Sequence, residues 1–256
     1  MSKEIKNNFD QKSYKKISYA QKSCLSKAGK LMQETQMLWP GARVGIAVSG
    51  GMDSQVLLQV LQIQRRKLPF PIEIMALHVN PGFETDSHLP LYRHIRKQQI
   101  AAHFEHSDIG PRAHSSENKT KSPCFFCSWH RRKLLFTMCK EYNLTHLAFG
   151  HNSDDLVENF FMNLFQCGRV DGLYPKESYF NGEFELIRPL LLADKRLITS
   201  ACKKWNLPVQ KNPCPSAHNS KRTQIRTWLE EAWQSDKRVR KNIFSALQRW
   251  QLDLTR

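Results

Sequence analysis

The sequence predicts a doubly wound α/β domain, a parallel sheet covered on both faces by helices, with a basic N-terminal arm and a helical C-terminal extension. Short apolar runs of β type alternate with segments of helical period, which is the pattern of parallel strands joined by crossover helices. The first such run ends in a Ser-Gly-Gly turn that opens a helix, the place where sheets of this kind bind ligands. No apolar run approaches the length needed to cross a bilayer.

The charge balance is lopsided. Thirty-nine Lys+Arg against 23 Asp+Glu in 256 residues give a formal net charge of +16. That excess favours a polyanionic partner, nucleic acid ahead of a membrane surface, because no long basic amphipathic helix is evident. The N-terminus, MSKEIKNNFDQKSYKK, lacks the apolar stretch of a secretory signal, so a cytoplasmic protein is expected. The seven cysteines are scattered, and a reducing compartment argues against a disulfide framework. Cys139, Cys167 and Cys202 lie in helix-like apolar surroundings and are expected to serve packing.

Residues 1–30 carry eight lysines and two acids and form the basic arm, becoming helical from about Tyr19. Residues 31–212 form the α/β domain. Arg43–Val48 is its first strand, and Val56, Leu57, Val60 and Leu61 mark the helix that follows. Ile72–Val79 is the second strand, residues 88–100 a helix and Ala101–His106 the third strand. Gly110–Lys121 is a polar, turn-rich loop, long enough to be mobile or functional. Cys124 and Cys127 open the next helix, with Leu134, Leu135 and Met138 among its apolar positions. Thr145–Phe149 is the fourth strand, Asp154–Phe165 a helix, Leu186–Leu190 the fifth strand and Asp194–Trp205 a helix. Residues 213–256 are the basic helical extension, with nine Lys+Arg against four acids between Lys221 and Arg256.

Ser49-Gly50-Gly51-Met52-Asp53-Ser54 has the form of a phosphate-binding turn between a strand and a helix. Its glycines let backbone N–H groups approach an anion, and the helix adds the positive end of its dipole. Ser49 and Ser54 can donate hydroxyl hydrogen bonds to phosphate oxygens. Asp53 would repel phosphates unless Mg2+ lies between, and otherwise serves only to cap the helix. His151, Asp154 and Asp155 stand at the mouth of the fourth strand. Two acids there complement the helix dipole, or hold Mg2+ or substrate beside a phosphate site. Asp154 is expected to contribute ahead of Asp155 and His151.

Cys124-x-x-Cys127 runs straight into His130-Arg131-Arg132. A redox pair would directly follow a strand, whereas here a polar loop precedes it. A zinc site needs four ligands, so His130 or His218 would have to join Cys124, Cys127 and Cys214. Three cysteines without a fourth fit an iron–sulfur cluster with one iron left open.

The glycine turn resembles the PP-loop of ATP pyrophosphatases, which split ATP between the α and β phosphates. SGGMDS, PCFFCSWHRR, GHNSDD and a Pro-Cys segment before a basic helix together resemble the tRNA 2-thiocytidine synthetase family, from about residue 25 to 252. VNPGFE, NLFQCGRVDGLYPK and IRPLLLADKRLI carry the likeness between these motifs. The resemblance implies a PP-loop, HUP-like ATPase fold, with ATP on Ser49, Gly50, Gly51, Met52, Asp53 and Ser54 and with Mg2+. It implies catalytic roles for Asp53, Asp154 and Arg131, with Arg132 beside it, and a 4Fe–4S cluster on Cys124, Cys127 and Cys214.

The implied reaction adenylates the C2 carbonyl of a tRNA cytidine, at position 32 of the anticodon loop, and replaces that oxygen with sulfur. Implied partners are tRNA, a cysteine desulfurase or other sulfur donor and, by analogy, a second copy of the chain in a homodimer, with no membrane. Trp228, Trp233 and Trp250 can stack on RNA, although Trp228 is expected in the core. Two departures stand out: Met52 where the family often has Lys, and Ala217 where many members have another cysteine. They bear on the substrate more than on the reaction class. The competing readings are another PP-loop tRNA modifier, such as a 2-thiouridine synthetase, and a nonenzymatic zinc-stabilised RNA-binding protein.

Overall fold

The computed structural model describes residues 17–119, 122–217 and 220–251, so residues 1–16 of the basic arm and His218 lie outside the described residues. Helix α1 (Tyr19–Glu34) opens on a capping box in which Ser18 and Gln21 satisfy one another's backbone N–H groups. Its Cys24, Leu25, Ala28 and Leu31 are buried along one face. The boundary drawn at residue 30 therefore falls inside a helix packed on the core.

The chain continues through β1 (Arg43–Ala47), α2 (Met52–Gln64), β2 (Glu73–Asn80), α3 (Leu89–Lys97), β3 (Ala101–His106), α4 (Ile109–Ala113) and α5 (Pro123–Glu141). Next come β4 (His146–Ala148), α6 (Ser153–Cys167), β5 (Lys176–Tyr179), β6 (Phe184–Ile187) and α7 (Lys195–Lys204). The extension holds α8 (Lys221–Ser235) and α9 (Lys237–Gln251). The strands form one sheet in the order β3-β2-β1-β4-β6-β5. It is parallel except at the edge, where β5 runs antiparallel to β6. Strand order reverses between β1 and β4, which opens a crevice at their carboxyl ends.

One core, built on Val44, Ile46, Leu57, Leu61 and Ile198, lies on the face covered by α1, α2 and α7. The other lies under α5 and contains Leu77, Leu135, Met138 and Leu147. The doubly wound layering is thus as expected, with three differences of detail. The fifth expected strand ends at Ile187 rather than Leu190, because Pro189 offers no N–H to a ladder. The edge strand β5, Lys-Glu-Ser-Tyr, has no apolar alternation to announce it. The expected loop at Gly110–Lys121 begins inside α4.

Cys139 and Cys202 are buried, whereas Cys167 is exposed. It is the last residue of α6, and Gly168, at φ 61°, turns the chain away behind it. Trp228 is 43% exposed rather than in the core, since its ring neighbours include Phe165, itself half exposed. No helix among the described residues is long and apolar enough to cross a membrane.

Charge fastens the extension to the domain. Glu158 on α6 is buried and accepts from Arg226 Nε at 2.6 Å and Nη2 at 3.0 Å, with Arg222 Nε 3.8 Å away. Arg226→Ala strands that carboxylate with only the longer contact. The expected loss is about 1–3 kcal/mol, below that for a wholly buried pair because Arg226 is half exposed. Urea unfolding and hydrogen exchange along α8 measure it; an unchanged midpoint with unchanged α8 protection would contradict it.

Candidate active site

A cavity of about 330 Å³ occupies the crevice where strand order reverses. Its floor is the turn after β1. Gly50 holds φ +83°, a conformation L side chains rarely adopt, and a Cβ there would also strike the Gln210 side chain. Gly51 caps α2 without a side chain, so the first turn of that helix presents unshielded N–H groups. Ser54 Oγ accepts from Ser49 N–H at 3.1 Å and donates to the Gly51 carbonyl at 2.8 Å, while Ser49 Oγ lies 3.2 Å from it. Backbone donors, two hydroxyls and a helix N-terminus make an anion cradle. Met52 instead packs against the core.

Gly150, at the end of β4, fixes the opposite wall. A Cβ there would stand 3.0 Å from the Asp53 carbonyl, so only glycine permits this approach without a shift. Asn152 then caps α6, accepting from the Asp154 and Asp155 N–H groups at 2.9 and 3.2 Å. The same side chain donates to Asp53 Oδ1 at 3.0 Å. Asp53 Oδ2 accepts from the Lys195 ammonium, which α7 brings to the site with its first residue.

The two acids of α6 divide. Asp154 turns away from the cavity, accepting from Lys195 N–H at 2.7 Å and from Arg240 Nη2 at 2.6 Å. Asp155 lines the cavity with Asp53 and Ser54. Burial pushes its carboxyl up to about 6, against the pull of Arg222 and the Asn152 N–H. The sequence had ranked Asp154 first; the geometry brings Asp155 to the cavity. His151 also lines it, but burial pushes its imidazole down to about 3, and its Nδ1 accepts from Arg188 Nε at 3.2 Å. It is neutral there.

Helix α5 forms the remaining wall through Ser128, Arg131 and Arg132. Arg131 Nε is buried and has no hydrogen-bond partner among the described residues. Burial raises the Cys127 thiol, while Arg131, hydrogen-bonded to it, pulls it down and the Cys214 and Cys124 sulfurs push it up. Burial and then Cys214 raise Cys124, against Arg222. The three cysteines named by the sequence thus lie within electrostatic reach of one another. Cys214 Sγ is also 3.8 Å from His114 Nε2. Among the described residues, no three His, Cys, Asp or Glu side chains are arranged to hold a metal ion as they stand. His130 packs against the rings of Phe126 and Trp129.

A model of the PP-loop domain matches residues 21–232. The chain belongs to the PP-loop family. A relative from Geobacter sulfurreducens named tRNA-cytidine(32) 2-sulfurtransferase is 30% identical over 239 residues, 91% of this chain and 89% of the relative. One of the same name from Ralstonia nicotianae is 31% identical over 87% of this chain and 72% of its own length. The likeness to the tRNA 2-thiocytidine synthetase family read from the motifs is borne out. The U34-tRNA thiolase NcsA from Methanococcus maripaludis, solved with its 4Fe–4S cluster, shares the fold. Its TM-score is 0.72 at 23% identity, covering 91% of this chain and 83% of that one.

Lys195, Asn152 and Gln210 were not singled out from the sequence. Asn152 had a readable signal, a capping residue just before two acids. Lys195 had none, because its partner in the PP-loop is 142 residues away. Lys195→Met removes the cation beside Asp53 and is expected to weaken ATP binding roughly tenfold by calorimetry, with little change in melting temperature because the pair is partly exposed.

Asp155 gives a pH prediction. Its folded pKa lies above the unfolded one, so the folded state holds the proton longer. The stability it contributes is full below the ordinary value of 3.8 and is lost as pH rises through about 6. Asp155→Asn should flatten that fall in melts taken without divalent cations from acid to neutral pH. An equal slope in both proteins would place the titration elsewhere.

Proposed function

We propose that this chain is an ATP-dependent tRNA sulfurtransferase that adenylates the C2 carbonyl of a cytidine and exchanges its oxygen for sulfur. The observation that carries this reading is the shared cavity. Its floor is a PP-loop, and one wall is the helix whose first turns carry Cys124 and Cys127. An anion cradle alone would fit many uses of ATP; thiols beside it argue for sulfur chemistry. The name shared by the relatives supports cytidine at position 32 of tRNA as the target.

In this reading the PP-loop N–H groups and the Ser49 and Ser54 hydroxyls hold the ATP phosphates. Asp53 and Asp155, two carboxylates facing one cavity, would hold Mg2+, a hard cation that takes oxygen ligands. The cytidine C2 oxygen attacks the α-phosphorus, the bond to pyrophosphate breaks, and the base becomes an O-adenylate. A sulfide then adds at C2, the C–O bond breaks, and AMP leaves with the former carbonyl oxygen. Arg131, whose buried Nε has no partner among the described residues, suits the charge that builds on the phosphate. Asp154, bound to Arg240, takes a positioning role at the foot of α9.

Three soft thiols within reach of one another fit a 4Fe–4S cluster in donor type, and Cys214 itself lies outside helix and strand. Cys124, Cys127 and Cys214 would hold it. When bound, it supplies an iron without a protein ligand, where sulfur from a cysteine desulfurase or other donor can be held. A cytoplasmic setting agrees with that chemistry.

Nucleoside mass spectrometry of tRNA from cells with and without the gene tests the reading. Selective loss of 2-thiocytidine is expected, and its return requires Cys124, Cys127 and Cys214, each tested as Ser. Loss of a different thionucleoside would move the substrate, and no change in any would remove the function. Zinc rather than iron in the anaerobically purified protein would favour a structural Cys3His site through His114.

A further inference from the structure

We propose that Phe125 and Trp129 form a stacking platform for unpaired nucleotides of an RNA loop, beside the cavity floored by the PP-loop. The proposal rests on the tRNA reading above. A surface helix ordinarily turns its apolar residues inward. On α5 that inner side is filled by Phe126, Leu135 and Met138, yet Phe125 and Trp129, one turn apart, are 59% and 53% exposed. Lys133 extends the same stripe by a further turn, with its ammonium 5.9 Å from the Trp129 ring centre. The neighbouring stripe of the helix is the cavity wall of Ser128, Arg131 and Arg132. Platform and cavity therefore adjoin on one rigid element.

Charge identifies the occupant. Between Pro123 and Lys140 the helix contains two arginines and two lysines and no acid, in a chain of net charge +16. Exposed rings set among cations suit a partner that is anionic along its backbone and planar in its side groups. Single-stranded RNA is both. A base must leave its stack to enter a cavity, and its neighbours then lose a stacking partner. An aromatic surface at the rim restores that contact. Since rings read every base by its face, the platform contributes affinity, and the cavity selects the base.

The test is binding of an unmodified tRNA transcript, its isolated anticodon stem-loop and a fully paired RNA duplex, from about 50 to about 200 mM salt. Phe125→Ala and Trp129→Ala should each weaken tRNA and stem-loop binding about fivefold or more, and the double variant further. Trp129→Tyr should restore most of the loss. The salt slope and the duplex affinity should not change, because no phosphate contact is removed. A double variant that melts like the wild type and binds tRNA equally well would overturn the platform, as would a changed salt slope or an equal loss on the duplex. Sedimentation of both proteins guards the other occupant: a wild-type dimer that the variants dissociate would make this face a subunit interface and overturn the proposal. If the wild type binds no tRNA at all, the functional reading falls and the platform with it; failure of the platform alone leaves wild-type binding intact.

Discussion

The site depends on how closely the end of β4 approaches the turn after β1. At Gly150 the backbone passes so near the Asp53–Ser54 peptide that a single added Cβ would sit within 3.1 Å of it. Parallel pairing of β1 with β4 brings the two chain segments side by side, and the reversal of strand order there leaves the space above them uncovered. Everything chemical hangs on that junction. The PP-loop comes from one strand end, and Asn152 and Asp155 come from the other. Asn152 joins them by capping α6 while donating to Asp53. A shift of β4 by a fraction of an ångström would loosen the loop, the helix cap and the carboxylate together.

Around that junction the protein matches acids on early elements with cations from later ones. Asp53 meets Lys195 from α7, Asp154 meets Arg240 from α9, Asp155 meets Arg222 from α8, and Glu158 meets Arg226 from α8. Part of the basic excess of the extension is therefore spent inside the molecule, holding α8 and α9 against α6. The extension is joined to the site helix at three acids, so it is structurally part of the site.

Much of this was legible in the sequence because the signals were local. Alternating apolar periods gave the strands of the parallel sheet, and the Ser49–Ser54 string carried its own turn chemistry and strand–helix context. What could not be read was either nonlocal or finer than a helical step. Adjacent residues on a helix point about 100° apart, so nothing in Asp154-Asp155 says which one faces the ligand. That is decided by Arg240 and Arg222, some 70 to 90 residues later. The edge strand β5 escaped because its pairing with β6 is written in backbone hydrogen bonds rather than in a hydrophobic pattern. Cys167 misled for a related reason: the apolar residues Leu164 and Phe165 precede it, but it ends the helix and is exposed.

The question posed by a cysteine pair running into two arginines has an electrostatic answer. A helix repeat places Arg131 one turn beyond Cys127, on the side that faces the cavity. One guanidinium thus stands beside both the sulfur of Cys127 and the cavity. Its Nε is buried and, among the described residues, has no hydrogen-bond acceptor. Bringing phosphate to that nitrogen alters the field at Cys127, and deprotonating Cys127 alters the field at the phosphate. The thiol and the cavity thus share one neighbouring cation because Cys127 and Arg131 lie on the same helix.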